Sequence, residues 1–237
     1  MTLDVPRSRS RRWCRIDDLH KQPNKKGPMN DTPYRLYGRR NAGSLAIQVA
    51  LEELGAPYRI EWIPKEPSAV ESYRRVNPEG RVPALVLPDG TLLTESAAIL
   101  IHLAGSDARH RLAPAAGSSA HAHFLKWVVS LSANLYETAL RYYCPDRYST
   151  APADAPRIQA QAAKDYERHL AAAAAALNPY LLGDSYSVAD PYLYMLLGWY
   201  PGDMTALLAR FPALKRHQEL LKARAAVARA DADHAER

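Results

Sequence analysis

Three short stretches of this 237-residue chain carry groups able to hold and activate a small ligand. Glu95-Ser96 opens an apolar run with helical spacing. The first turn of a helix presents free N–H groups and a partial positive charge, so a carboxylate fits there, with the Ser96 hydroxyl as a further donor. Glu95 adds a negative partner for an ammonium group, although an acidic residue at a helix start also simply complements the dipole. The second stretch, Asn77-Pro-Glu-Gly-Arg-Val-Pro-Ala-Leu85, joins turn residues to a strand. Within it Pro83 has no backbone N–H to give to a sheet. The third gathers Tyr37, Asn41 and Ser44 between a strand and a helix, two hydroxyls and an amide in eight residues. Ser44 is equally suited to capping that helix.

Other chemistries find no support. His121 and His123 are two residues apart and point to different faces of a helix, a poor metal pair. No other cluster of His, Cys and acidic residues has ligand spacing, so no metal is expected. There is no phosphate loop and no dinucleotide fingerprint. Cys14 and Cys144 are too few for a disulfide framework and form no Cys-x-x-Cys, which favours a reducing, cytoplasmic setting. Cys144, beside Pro145, reads as a small inert residue rather than a nucleophile. The net charge of +6 is local. Residues 1–30 hold eight Lys and Arg against three Asp, which leaves the rest of the chain nearly neutral and without the footprint of a nucleic-acid binder. No apolar stretch has the length of a membrane span.

The elements that must position the candidates can be read from periodicity. Residues 1–31 are polar and aperiodic and are expected to be a disordered basic extension; sequence upstream of a start at Met29 reads the same way. Tyr34–Tyr37 and Tyr58–Trp62 read as strands. Between them, Ser44–Gly55 reads as a helix with Gly55 at its C-cap. Ala69–Val76 is a second helical stretch. Ala84–Leu87 and Thr91–Thr94 are strands joined by Pro88-Asp-Gly90, a hairpin turn. Glu95–Ala104 is a third helix with Thr94 as N-cap. The order β-α-β-α-β-β-α predicts one sheet with helices on its faces. After a Gly, Ser, Ala and Pro-rich linker, 105–118, strand signals stop. Helical stripes follow around Phe124–Leu135, Ile158–Leu177, Ser187–Trp199 and Phe211–Ala228. Ser187-Val-Ala-Asp190 is a capping box.

A β-α-β-α-β-β-α domain followed by an all-helical one resembles the cytosolic glutathione S-transferase family over roughly residues 34–229. The Asn77–Leu85 segment, Glu95-Ser96, the capping box and Ser44-Leu45 carry the resemblance. It implies a thioredoxin-like domain at 32–106 and an all-helical domain at 119–237. Glutathione would lie on the first, held by Arg81, Val82, Pro83, Glu95 and Ser96. Pro83 would follow a cis bond, so that the Val82 backbone pairs with glutathione as an added strand does. The ammonium and carboxylate of the γ-glutamyl end would meet Glu95 and Ser96.

The family stabilises the glutathione thiolate with a Tyr, Ser or Cys near the end of the first strand or the start of the first helix. Its bacterial cysteine-type members place a Cys immediately before a Ser-Leu pair, where this chain has Gly43. Ser44, Asn41 and Tyr37 remain as thiolate donors. A small electrophilic or hydrophobic second substrate would meet the helical domain, with Tyr136, Tyr142, Tyr143, Trp199 and Tyr200 as candidates for its pocket. The resemblance also implies a homodimer. A non-catalytic binding module, and glutathione-dependent peroxidase or isomerase activity in the same site, stay open beside conjugation.

Overall fold

The computed structural model describes residues 32–235, so the expected basic extension lies outside the described residues. Strand β1 (Tyr34–Gly38) pairs in parallel with β2 (Tyr58–Trp62), Tyr34 opposite Tyr58, around helix α1 (Ser44–Leu54). Gly55 ends α1 at φ 66°, a left-handed C-cap that suits glycine. Helix α2 (Pro67–Tyr73) follows, two residues earlier than its apolar spacing suggested, because Pro67 is preset for a first helical turn. Strands β3 (Ala84–Val86) and β4 (Leu92–Thr94) form an antiparallel hairpin closed by Leu87 N–H to Thr91 O at 2.8 Å, with Gly90 at φ 90°. Strand β3 also lies antiparallel to β1, giving the order β2-β1-β3-β4.

Alternation along β1 sorts the two faces of this sheet. Leu36 faces the main core with Ile47, Leu51, Ile99 and Leu103, so α1 and α3 (Ser96–Gly105) cover one side. Tyr37 points to the other side, where it packs on Tyr73 of α2 with ring centroids 5.4 Å apart. Helix α3 starts one residue later than expected, and Glu95 rather than Thr94 is its N-cap.

The chain then turns all-helical. Helix α4 (Ser119–Ser130) passes without a break through a π-helical turn, Leu131–Tyr136, into α5 (Glu137–Tyr143). Helices α6 (Ala155–Ala176), α7 (Ala189–Leu197), α8 (Met204–Arg210), α9 (Pro212–Lys222) and α10 (Ala225–Ala235) follow. The stripe expected at Phe211–Ala228 is two helices, broken where Arg224 turns to grip Glu53. Helix α8 was not anticipated; Asp203 caps it by accepting the N–H groups of Thr205 and Ala206 at 2.8 and 3.2 Å.

The capping box forms around a carboxylate with no solvent exposure. Asp190 accepts from the Ser187 N–H at 2.8 Å and the Leu181 N–H at 2.9 Å and stands 3.2 Å from His217 Nε2. The reverse contact, Ala189 N–H to the Ser187 hydroxyl, is 3.3 Å. This cluster anchors the start of α7, which is buried along its whole length and carries Tyr192 toward the sheet domain.

Candidate functional site

A cavity of about 330 Å³ opens beyond the ends of β1 and β3, between the sheet domain and the α4–α5 helix. It falls in the range of small-molecule sites, roughly 300–1,000 Å³. Arg81, Val82, Pro83, Glu95 and Ser96, all named from the sequence, line it together. Arg39, Arg81 and Arg147 there face Glu79, Glu95 and Glu137, a balance that suits a zwitterionic guest better than a simple anion.

One wall is the Asn77–Pro83 loop. Gly80 turns the chain at φ 66°, its N–H bonded to Asn77 O at 2.8 Å. Buried Asn77 donates its amide to the Arg81 carbonyl at 2.8 Å, and Tyr73 donates its hydroxyl to the same oxygen at 3.0 Å. The Val82–Pro83 bond is cis, as expected. With the Arg81 carbonyl held from behind, Val82 lies at the rim of the sheet, and among the described residues its N–H and C=O have no backbone partner.

The second wall is the start of α3. No side chain caps its first turn, which leaves N–H groups open toward the cavity. Glu95 sits at φ 66° and ψ 113°, a region that a branched or long side chain enters only at a cost of about 1–3 kcal/mol. Ser96 follows, 7% exposed, its hydroxyl directed to the same space.

The third wall comes from helices that are remote in sequence. Ser132, Tyr136, Glu137 and Leu140 project from the π-helical turn and α5, and Tyr192 from α7. The sequence analysis missed Ser132, Glu137, Leu140, Arg147 and Tyr192; the four-residue recurrence of Ser132, Tyr136 and Leu140 on one helical face was the available signal. Tyr192 had none. Its hydroxyl is buried and meets no partner at hydrogen-bond geometry among the described residues. Burial raises its pKa, opposed by the neighbouring Ser132 and Ser96 hydroxyls, so it stays a protonated donor beside the cavity.

The three residues expected to donate to a thiolate lie elsewhere. Ser44 has no exposure; its hydroxyl donates to the Arg39 carbonyl at 3.0 Å and accepts the Arg39 N–H at 3.2 Å. Tyr37 is in the α2-side core and accepts from Arg35 Nη1 at 3.2 Å. Asn41 is exposed, at φ 55°, outside the cavity lining. Arg39, which does line the cavity, is tied by its guanidinium to the carbonyls of Ile63 and Pro64 at 3.0 and 3.2 Å.

Of the aromatic candidates for a second substrate, only Tyr136 lines the cavity. Trp199 supports it edge-on at 5.3 Å. Tyr143 donates to the Trp199 carbonyl at 2.7 Å, and Tyr200 packs on Tyr166. Among the described residues no group of His, Cys, Asp and Glu is arranged for a metal, and no helix is long and apolar enough to cross a membrane.

Comparison with known proteins agrees with this fold. Residues 44–105 match the family model described as glutathione S-transferase, N-terminal domain. The chain is 31% identical over 170 residues to glutathione S-transferase GstA of Escherichia coli O157:H7, covering 70% of this chain and 81% of that one. Among solved structures, a glutathione transferase homologue from Sulfitobacter with bound glutathione superposes with a TM-score of 0.78 at 25% identity, over 85% of this chain and 98% of the other. A sphingomonad glutathione S-transferase complexed with glutathione gives 0.72 at 33% identity, over 84% and 98%.

Proposed function

The chain belongs to the glutathione S-transferase family, and we propose that its cavity binds glutathione and delivers the thiolate to a hydrophobic electrophile. One observation carries this reading. The uncapped start of α3, with Glu95 and Ser96, opens on the same cavity as the unpaired backbone of Val82. An α-amino acid end fits the first, its carboxylate on the helix N–H groups and the Ser96 hydroxyl, its ammonium on Glu95. A peptide backbone fits the second as an added strand. Glutathione carries both in one molecule, and both relatives with glutathione in their solved structures share this fold.

The chemistry requires no protein nucleophile. The bound thiol loses its proton, the sulfur lone pair attacks the electrophilic carbon, and the carbon–sulfur bond forms as the leaving group departs with its electron pair. The protein contributes a lowered thiol pKa and the juxtaposition of the two reactants. The part of the cavity lined by Tyr136 and Leu140 is where an apolar partner would sit. Assembly as a homodimer and the two-domain division at 32–106 and 119–237 belong to the same proposal and rest on the family resemblance.

Calorimetric titration with glutathione, followed by a conjugation assay with a small aromatic electrophile, tests the reading. Binding and turnover are expected. Ser96→Ala is expected to weaken binding by about 1.5–3 kcal/mol, the scale of a hydrogen bond to a charged group. Failure of the wild-type protein to bind glutathione would remove the reading. A second reading, a binding module without catalysis, draws on Gly43 standing where cysteine-type members carry their reactive residue; binding without turnover would favour it.

A further inference from the structure

We propose that the thiolate donor of this protein is Tyr136, supplied by the helical domain across the cavity. This rests on the glutathione reading above. The point of convergence is Gly43, the N-cap of α1. A Cβ built there would lie 3.0 Å from Pro83 Cδ, 3.1 Å from the Tyr136 hydroxyl oxygen and 3.2 Å from Ser96 Oγ. The sheet-edge proline, the hydroxyl at the start of α3 and the tyrosine hydroxyl therefore pack together over the N-terminus of an 11-residue helix, at the wall of the cavity. A glutathione whose backbone lies on Val82 and whose amino acid end lies on Ser96 brings its sulfur to that wall of the cavity, on the side where the Tyr136 hydroxyl lines it.

The Tyr136 hydroxyl is available there. Among the described residues it has no hydrogen-bond partner, unlike the Ser44 hydroxyl, whose proton is committed to Arg39. Its position is held by structure on both sides. The π-helical turn that ends at Tyr136 shifts the following helix, a feature often found at functional sites. Its ring is wedged edge-on against Trp199 at 5.3 Å and tilted against Tyr192 at 6.5 Å. Burial, with Glu95 adding to it, raises the phenol above its ordinary pKa against the smaller opposing effects of Arg147 and Arg81. The hydroxyl therefore remains a donor across the working pH range. The step balances: the thiol proton leaves to solvent, and the O–H of Tyr136 stays intact while donating to the sulfur anion.

The test compares wild type, Tyr136→Phe and Ser44→Ala, all full chain. The pKa of bound glutathione is read from thiolate absorbance, and the affinity for S-methylglutathione, which has no ionisable thiol, is measured in parallel. Tyr136→Phe is expected to raise the thiol pKa by about one unit or more, about a tenfold loss of thiolate below both values. It should lower kcat by up to the same factor at pH values below the wild-type thiol pKa, with recovery at alkaline pH. S-methylglutathione affinity should be unchanged, since the ring packing is kept, and Ser44→Ala should leave the thiol pKa in place. An unmoved pKa in Tyr136→Phe, a rise in Ser44→Ala instead, or loss of S-methylglutathione binding in Tyr136→Phe would each overturn the inference while leaving glutathione binding by wild type intact. Absence of S-methylglutathione binding by wild type would overturn the functional reading, and the inference with it.

Discussion

A side chain at Gly43 would begin 3.1 Å from the hydroxyl oxygen of Tyr136. The glycine is not needed for its backbone, since φ is −59° and any residue adopts that value. It is needed for space. The space above the helix start is closed over by Tyr136, Ser96 and Pro83.

Gly43→Ala is accordingly expected to impair function more than folding. The methyl group meets Pro83 and Tyr136 closer than most packed carbons allow, and crowding of this kind costs about 1–3 kcal/mol. Displacing the tyrosine hydroxyl from the sulfur position should lower turnover by about tenfold or more, since small misplacements at a reacting centre are expensive. Turnover equal to wild type, measured alongside a urea midpoint, would show that Tyr136 and Gly43 do not share the reacting volume.

Glu95→Gly separates stability from binding. Glycine enters positive φ freely, so relief of the Glu95 conformation is expected to leave stability unchanged or raise it by up to about 1 kcal/mol. The same substitution removes the partner of the ligand ammonium and should weaken glutathione binding by about 1.5–3 kcal/mol. Thermal melts and calorimetry on one preparation would check both; a large fall in melting temperature would mean that the Glu95 side chain holds the fold rather than the ligand.

Asp190→Ala should be severe. It strips the partner from the Ser187 and Leu181 N–H groups and from His217, all without solvent to replace it. Loss of about 3–5 kcal/mol is expected, with α7, and hence Tyr192, released from its place. Chemical denaturation reads this directly, and a loss below about 1 kcal/mol would contradict the role given to the capping box.

Acid stability should depend on His234. The ring is buried on α10, edge-on to Trp62 at 4.9 Å, with no partner for either nitrogen among the described residues. Burial pushes its pKa down to about 4, Arg40 acting in the same direction and Asp233 against it. The unfolded chain, with a histidine near ~6.5, binds the extra proton first. Stability is therefore present in full above about pH 6.5 and falls as the pH drops toward about 4. His234→Phe keeps the ring contact and should flatten urea midpoints over that window; an unaltered slope would assign the acid sensitivity to other groups.

Most of the sheet domain was legible because its signals are local. Period-two runs gave β1 and β2, Gly55 ended α1, and Pro88-Asp-Gly90 closed the hairpin. Arg81, Val82, Pro83, Glu95 and Ser96 meet in one cavity because turn chemistry and a helix start are written in neighbouring residues. What was not legible depends on distant partners. The break between α9 and α10 has no glycine or proline; Arg224 bends the chain there to reach Glu53, with bonds of 2.7 and 3.0 Å. Ser44 looked like a donor from its spacing, yet its hydroxyl closes onto Arg39 once the loop is folded. Tyr136 and Tyr192 join the site only because the π-helical turn and α7 pack on each other at the cavity.

We infer that this cavity binds glutathione as a thiolate. Ultraviolet difference titration of glutathione on the wild-type protein, scanned across pH, measures it most directly. The bound thiol is expected to ionise well below the ordinary thiol value of about 8.5. A bound thiol that titrates like free glutathione would contradict it.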